Sequence, residues 1–480
     1  MQNDDIIKLL NLEDTAVTIK DVVVIDDKKY VFVEKELVPH YCPDCGFRMH
    51  SRGVYERTIK HPIMQDGLKL IIKAKQRTWK CINSNCNKTM TDTFNFVDKY
   101  RQSTKLTDLL IVEAFRDFSV TAAEVARRFN VSDTYAIYTF ERYVEMSRRP
   151  LTRAISIDEV HLNISDQCNY ALVIQDFITG EPIDMLVNRR QSITEPYFTQ
   201  IPREERRKVE FLITDMYKPY VKISDDYFLN AVHVVDAFHV IQLINRELLA
   251  YVRDLQSKFK KRDEERHEAL EQEMGRRIEF TTSKEYYLLK NHRWVLLKNH
   301  DDINFSKEMR YDRKFKRYMS PSDYEREFFS INTTLPKLHS LKEKYIQFNR
   351  EYAGKPNQAR VALRVLIQMY ASSEFIMFQQ IAETLNNFFE PIINSFIMIE
   401  RIKKDGTKIE SRLSNGPIES LNRIPKDMKR NARGYRNFEH IRNRFLFSQR
   451  KGEPILAIPK EWHEVYLKTD VKRGPYKKKK

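Results

Sequence analysis

Ala154-Ile155-Ser156-Ile157 is a short apolar run closed by Asp158-Glu159, and Val209-Glu210-Phe211-Leu212-Ile213-Thr214 is a second one closed by Asp215. Each reads as a buried strand with a carboxylate at its end. Tyr170 to Gln175 and Ile183 to Val187, joined through Thr179-Gly180-Glu181-Pro182, and a further run at Ala231 to Val235 complete a β-rich segment. An aspartate that ends an apolar strand is usually a turn residue, so neither says much alone. Together with Glu419, at the start of a helix in Ser414-Asn415-Gly416-Pro417-Ile418-Glu419-Ser420-Leu421-Asn422, they form a set able to bind two divalent cations. Two metals stabilise the attacking and leaving oxygens of in-line displacement at phosphorus. Mg²⁺ (or Mn²⁺) suits such an all-oxygen site.

The spacing around these residues organises the chain. Asp158 and Asp215 are 57 residues apart, room for strands and one crossover helix at about 191 to 207. From Asp215 to Glu419 is 204 residues, and a structureless connection of that length does not belong in a compact domain. Residues 241 to 278 read as a long charged helix or helix pair, and most of 320 to 402 has helical periodicity. An inserted helical domain therefore separates the second and third carboxylates. Glu159 would point to the opposite strand face from Asp158 and stays outside the triad. His239, after Asp236, either orders the core or is a capped buried histidine. Trp294 either stacks on an unpaired base or is a core residue. Cys168 reads as core.

Upstream lies a different texture. Val22-Val23-Val24-Ile25 and Tyr30-Val31-Phe32-Val33 predict a β-hairpin closed by Asp26-Asp27-Lys28-Lys29. Cys42-x2-Cys45, a gap of 35 residues and Cys81-x4-Cys86 follow, with strand-like segments at Leu68 to Ile72 and Arg77 to Lys80. Four thiolates close a tetrahedral site, which predicts a structural Zn²⁺ on a zinc ribbon. Lys73, Lys75, Arg77 and Lys80 face either phosphates or water. Residues 104 to 148 turn helical. There Thr121 predicts a cap with Glu124 completing a capping box, Ala122, Val125, Ala126 and Phe129 form an apolar stripe, and Ser132 caps a second helix. That is the pattern of a helix-turn-helix, offering Ser132, Asp133, Thr134 and Tyr135 to a major groove. An ordinary helical hairpin is the other reading.

Composition agrees with a polyanionic partner. Lys and Arg number 83 against 67 Asp and Glu, a net charge of +16. The longest apolar stretches, such as Phe396-Ile397-Met398-Ile399, fall far short of the ~18 residues of a spanning helix. Met1-Gln2-Asn3-Asp4-Asp5 has neither the basic start nor the apolar run of a signal peptide, so a cytoplasmic, nucleoid-associated location is expected. There is no Gly-x4-Gly-Lys-Ser/Thr loop for a nucleotide cofactor.

Ser414 to Phe447 joins the Ser-Asn-Gly-x-x-Glu-Ser-Leu-Asn element to Lys426 to Arg430 and to Arg433-Gly434-Tyr435-Arg436-Asn437-Phe438-Glu439-x-x-Arg442-x-Arg444. This stretch resembles the C-terminal signature of the ISL-three family of bacterial insertion-sequence transposases. Ile157-Asp158-Glu159 resembles that family's first catalytic strand. Asp215-Met216 with Lys218-Pro219-Tyr220 resembles its second, and Asp236-Ala237-Phe238-His239 its Asp-x-x-His element. The resemblance covers nearly the whole chain. It implies a ribonuclease-H-like core with catalytic Asp158, Asp215 and Glu419. Water activated by metal would cut the element's end, and the freed 3′-hydroxyl would attack target DNA. Arg430, Arg433, Arg436, Arg442 and Arg444 flank the glutamate helix and would grip DNA backbone.

The expected protein is thus an α+β multidomain chain. Its parts are a zinc-ribbon DNA-binding module (1–100), a helix-turn-helix (101–150), and the first part of a ribonuclease-H-like core (151–245). An all-helical insertion (246–400), the rest of the core with Glu419 (401–455) and a basic tail (456–480) follow. Expected partners are double-stranded DNA, as terminal repeats and target, and further copies of the chain on DNA. A DNA-binding regulator with a dead core, or a structure-specific nuclease on the same core, are the rival readings.

Overall fold

The computed structural model describes residues 7, 10, 12, 14, 16–62, 67–165 and 168–466. The five N-terminal residues and the terminal lysines of the expected basic tail lie outside these. The chain divides into two compact units. One comprises Met1–Arg148, Val160–Ala171 and Asn422–Lys480, the other Arg149–Glu159 and Leu172–Leu421.

In the first unit, strands β1 (Val17–Ile25), β2 (Lys28–Lys35), β3 (Met49–Lys60), β4 (Lys69–Cys81) and β5 (Thr89–Thr91) form one sheet. Its order is β1-β2-β4-β3, with β5 on β4. The β1–β2 hairpin forms as expected, on a tighter turn: Asp26 adopts a left-handed φ of 52° and Lys28 already pairs with Ile25. Val31, Val33, Ile59, Leu70, Ile72 and Ala74 build the core under the sheet. The two strand-like segments expected near 68–80 are one continuous strand. Strand β3 is new, because only its ends, Met49 and Ile59, are buried and nothing between them alternates.

Three helices follow, Lys105–Ala114, Ala122–Phe129 and Asp133–Tyr143. Thr121 accepts from the Glu124 amide at 3.2 Å and Ser132 from the Tyr135 amide at 3.1 Å, so each side chain satisfies an otherwise orphaned N–H. Asn130 ends the middle helix in the left-handed conformation at φ 53°.

The second unit is built on β6 (Ala154–Ser165) as far as Glu159, β7 (Cys168–Asp176) from Leu172 on, β8 (Pro182–Leu186), β9 (Phe211–Thr214) and β10 (Val232–Val235), in the order β10-β9-β6-β7-β8. β9 runs parallel to both β6 and β10, and β7 antiparallel to β8. The crossover between β8 and β9 is two helices, Gln191–Gln200 and Arg203–Arg207. Ile155, Ile157, Leu172, Ile174 and Leu212 pack on one face of the sheet, and Ala154, Phe177, Ile213, Val234 and Leu413 on the other.

After β10 a single helix runs Ala237–Met274. Its 38 residues span about 57 Å at 1.5 Å each. Val240, Ile244, Leu248 and Val252, one every four residues, seat it on the helices between Lys284 and Asn394. Two expectations are corrected here. The inserted segment is not all-helical, because Arg310–Asp312 and Arg317–Met319 pair as an antiparallel hairpin. Helical structure also stops at Asn394, and Met398–Ile402 pairs with Lys408–Arg412. Ile402 donates to the Ile178 carbonyl at 2.9 Å, which holds that second hairpin to the sheet. Trp294 lies at the edge of the helical core, packed against it. No helix of the described residues is long and apolar enough to cross a membrane.

Candidate active site

Register brings the two aspartates together. Ser156 of β6 pairs in parallel with Ile213 of β9, and Asp158 and Asp215 each follow two residues on. An even step keeps both side chains on the same face. The pairing of β6 with β9 ends at Ser156 and Ile213, so both carboxylates emerge past the paired edge. One oxygen from each of them and one from Glu159 lie within 4.8 Å of one another. The expectation that Glu159 turns away is therefore corrected: its longer side chain reaches round at the end of the ladder. Glu159 Oε2 accepts from the buried Tyr220 hydroxyl at 2.8 Å, and Oε1 pairs with Arg189. Tyr220 entered the sequence reading only beside Asp215, in Lys218-Pro219-Tyr220, and Arg189 not at all.

Burial dominates the electrostatics. It pushes the Asp158 carboxyl up to about 6 and raises Asp215 and Glu159, while the His239 imidazole works in the opposite direction on all three. Burial disfavours the charged form of all three carboxyls, a cost that a bound divalent cation would offset. The donor set is all oxygen and fits a hard ion such as Mg²⁺.

Glu419 does not join that group; its helix, Gly416–Leu421, is tied to His239 and Asp236 through a chain of bonds. The Glu419 amide donates to the Asn415 carbonyl at 2.9 Å. The Asn415 side-chain amide donates to His239 Nε2 at 3.1 Å, and its backbone N–H donates to Asp236 Oδ2 at 2.8 Å. Asp236 also caps the long helix by accepting from the Phe238 amide at 3.0 Å. His239 thus ties the start of the long helix to the glutamate turn.

In the first unit the four cysteines converge. Cys42 and Cys86 sulfurs are 3.6 Å apart and Cys45 and Cys81 sulfurs 3.4 Å, all four within 4.8 Å. Sulfurs at about 2.3 Å from one zinc stand about 3.8 Å apart, so the cluster fits a tetrahedral ion. The Phe47 amide lowers the Cys45 thiol to about 7, which favours the ligating thiolate.

The residues expected to meet DNA separate into two groups. Ser132, Asp133 and Thr134 are exposed at a helix start. Tyr135 turns inward, its hydroxyl donating to Asp108 at 2.7 Å and meeting Ser103 at 2.5 Å. Arg430, Arg433 and Arg436 are exposed. Arg442 and Arg444 are not surface grips. They lie on the inner side of the helix Phe438–Gln449, where Arg442 donates to the Met146 carbonyl at 3.0 Å. Arg444 donates to Val120 O at 3.0 Å and Asp117 O at 3.3 Å, with its guanidinium 4.3 Å from the Phe115 ring centre.

Comparison with known proteins accords with this site. The profile of a transposase family, the ISL3 group of DDE transposases, matches residues 155–445, more than half of the chain. The transposase for insertion sequence element IS1001 of Bordetella parapertussis is 21% identical over 409 residues, which cover 83% of this chain and 86% of that protein. The matched span begins in the strand that carries Asp158 and runs past Glu419, and on that basis the chain belongs to the ISL3 family of DDE transposases.

Proposed function

We propose that this DNA transposase cuts and joins DNA strands with Asp158, Asp215 and Glu419 as its catalytic carboxylates, on a ribonuclease-H-like core split by the inserted segment. The observation that carries the reading is the parallel register that sets Asp158 beside Asp215. Glu419 is the third member because Asn415, one helical turn before it, bonds to His239, whose ring lies near enough to both aspartates to act on their carboxyls. Bound Mg²⁺ or Mn²⁺, two ions in all, would supply Lewis acidity and an activated oxygen nucleophile. The chain's own residues do the rest. Arg189 and Tyr220 fix Glu159, and His239 orients the Asn415 turn that precedes Glu419.

In this proposal Cys42, Cys45, Cys81 and Cys86 hold a structural Zn²⁺ in a zinc ribbon. The helix pair joined at Asn130 is a helix-turn-helix that reads the element's terminal repeats through Ser132, Asp133 and Thr134. Tyr135 sets the angle of that helix from inside. Arg430, Arg433 and Arg436 hold phosphates. The enzyme works on double-stranded DNA at the nucleoid, as an assembly of several copies.

The test uses purified full-length protein, Mg²⁺, and duplex DNA from the sequences flanking its gene. The expected products are a cut at the element end and joining of that 3′ end to a second DNA. Cutting without joining would make it a nuclease, and binding without cutting a regulator.

A further inference from the structure

Arg310-Tyr311-Asp312-Arg313-Lys314-Phe315-Lys316-Arg317-Tyr318-Met319 carries five cations and one carboxylate in ten residues. It folds as a small antiparallel hairpin with Tyr311 directly opposite Tyr318. One side is anchored. Buried Asp312 accepts from the Tyr287 and Tyr324 hydroxyls, both at 2.7 Å, and from the amides of Lys314 and Phe315 at 2.7 and 3.1 Å. Met319 is buried beside it. Two of the cations serve the same anchoring: Lys314 donates to the Thr282 carbonyl, and Arg317 pairs with Glu327 at 2.7 Å.

The other side faces outward. Tyr311 and Tyr318 are 56% and 66% exposed, with ring centres 5.6 Å apart in an edge-to-face arrangement. Arg310, Arg313 and Lys316 are exposed and pair with no carboxylate among the described residues. Lys316 sits in the left-handed region at φ 53°, so the turn holds a long cation where glycine would be easier. Folding gains little from two rings in water, and nothing from bringing like charges together. A flexible polyanion bearing flat rings answers both costs at once. Its phosphates take the cations, and its bases stack on the tyrosines. Bases inside a duplex are stacked on one another and closed to such rings.

We propose that the hairpin Arg310–Met319 binds single-stranded DNA, with Tyr311 and Tyr318 stacking on unpaired bases and Arg310, Arg313 and Lys316 holding the phosphates. The proposal rests on the DNA-cutting function, because cutting and joining leave unpaired nucleotides beside the reacting ends.

The test compares full-length wild type with Tyr311→Ala/Tyr318→Ala and with Tyr311→Trp/Tyr318→Trp. One probe is oligothymidylate of about 20 nucleotides, the other a duplex of the same length. The alanine variant is expected to lose about tenfold or more in affinity for oligothymidylate and little for duplex, with the tryptophan variant retaining both. Ultraviolet crosslinking of the wild type to 5-iododeoxyuridine in the single strand should map to Tyr311 or Tyr318, a readout independent of how the variants fold. Equal affinity of wild type and alanine variant for oligothymidylate, or crosslinks only elsewhere, would overturn the proposal. So would a change in oligomeric state with single-strand binding intact, which would make the tyrosines a protein–protein surface. If the wild type cuts element-end DNA while these tests fail, the hairpin proposal falls alone. If it neither cuts nor binds, both readings fall.

Discussion

Asp236 and Asn415 stand 179 residues apart in the chain, and the Asn415 amide donates to the Asp236 carboxylate at 2.8 Å. One residue precedes the long helix that opens the inserted segment, and the other precedes the helix of Glu419. The bond closes the insertion at its base, so the sheet end and the glutamate turn keep their relation whatever the insert does. Asp236→Ala removes the acceptor for two amides, those of Asn415 and Phe238. It should cost about 1–3 kcal/mol of stability, and strand cleavage should fall on the order of 100-fold through misplacement of the catalytic groups. Thermal denaturation and a cleavage time course check this, with end binding unchanged as the control.

The third carboxylate can be decided between two glutamates. Asp158→Ala, Asp215→Ala and Glu419→Gln should each abolish Mg²⁺-dependent cleavage and joining while leaving end binding intact. Glu159→Gln should keep measurable activity, since the amide can still meet Tyr220. If Glu159→Gln is dead and Glu419→Gln cuts at the wild-type rate, the third ligand is Glu159.

Asp158 gives a pH dependence of definite sign. Its carboxyl is raised to about 6 by burial, so the folded chain binds this proton more tightly than the unfolded chain does. The resulting stability is present below about pH 4 and is lost as pH rises through 6. At pH 7.5 without metal, Asp158→Asn should therefore raise the stability by up to about 3 kcal/mol, and the melting temperature with it. At pH 4 it should have little effect. Mg²⁺ should stabilise the wild type at pH 7.5, with the effect fading below pH 6, and should not stabilise the variant equally. Melting curves at the two pH values, with and without Mg²⁺, are the measurement.

Zinc is checked on the purified protein by elemental analysis, with about one ion per chain expected. Cys81→Ser should lose the ion, loosen the N-terminal module and weaken end binding. A far-ultraviolet spectrum close to wild type would show that the rest of the chain stays folded. A wild-type protein with no zinc would sink the assignment.

The arginines should divide as their burial does. Replacing Arg430, Arg433 and Arg436 together with alanine should reduce the salt dependence of DNA binding by about 0.9 in logarithmic slope for each phosphate no longer neutralised, without loss of stability. Arg444→Ala should instead destabilise the protein by about 2–3 kcal/mol, because the buried Val120 carbonyl and the part-buried Asp117 carbonyl are left without a charged donor. Titrations at several salt concentrations and denaturant melts distinguish the two.

Much was legible in the chain itself. Apolar runs leading to Asp158 and Asp215 marked two strands, because a buried strand must be apolar, although the first continues past Asp158 to Ser165. Paired cysteines marked their cluster, since thiol chemistry makes the spacing informative. Thr121 and Ser132 marked two helix starts, because capping is a local bond between residues three apart. What only the tertiary structure decided was non-local. Strand β3 carries no alternation to read, as most of its side chains face solvent. Glu159 comes to the aspartates because the β6–β9 ladder stops at Ser156, and that stop is set by a partner 57 residues away. Arg430 and Arg444 are the same residue type, but the inner face of a helix and the chain packed on it make one a surface charge and the other an internal clamp. Side-chain identity and local spacing are written in the sequence, whereas the direction a side chain takes depends on which distant segment covers it.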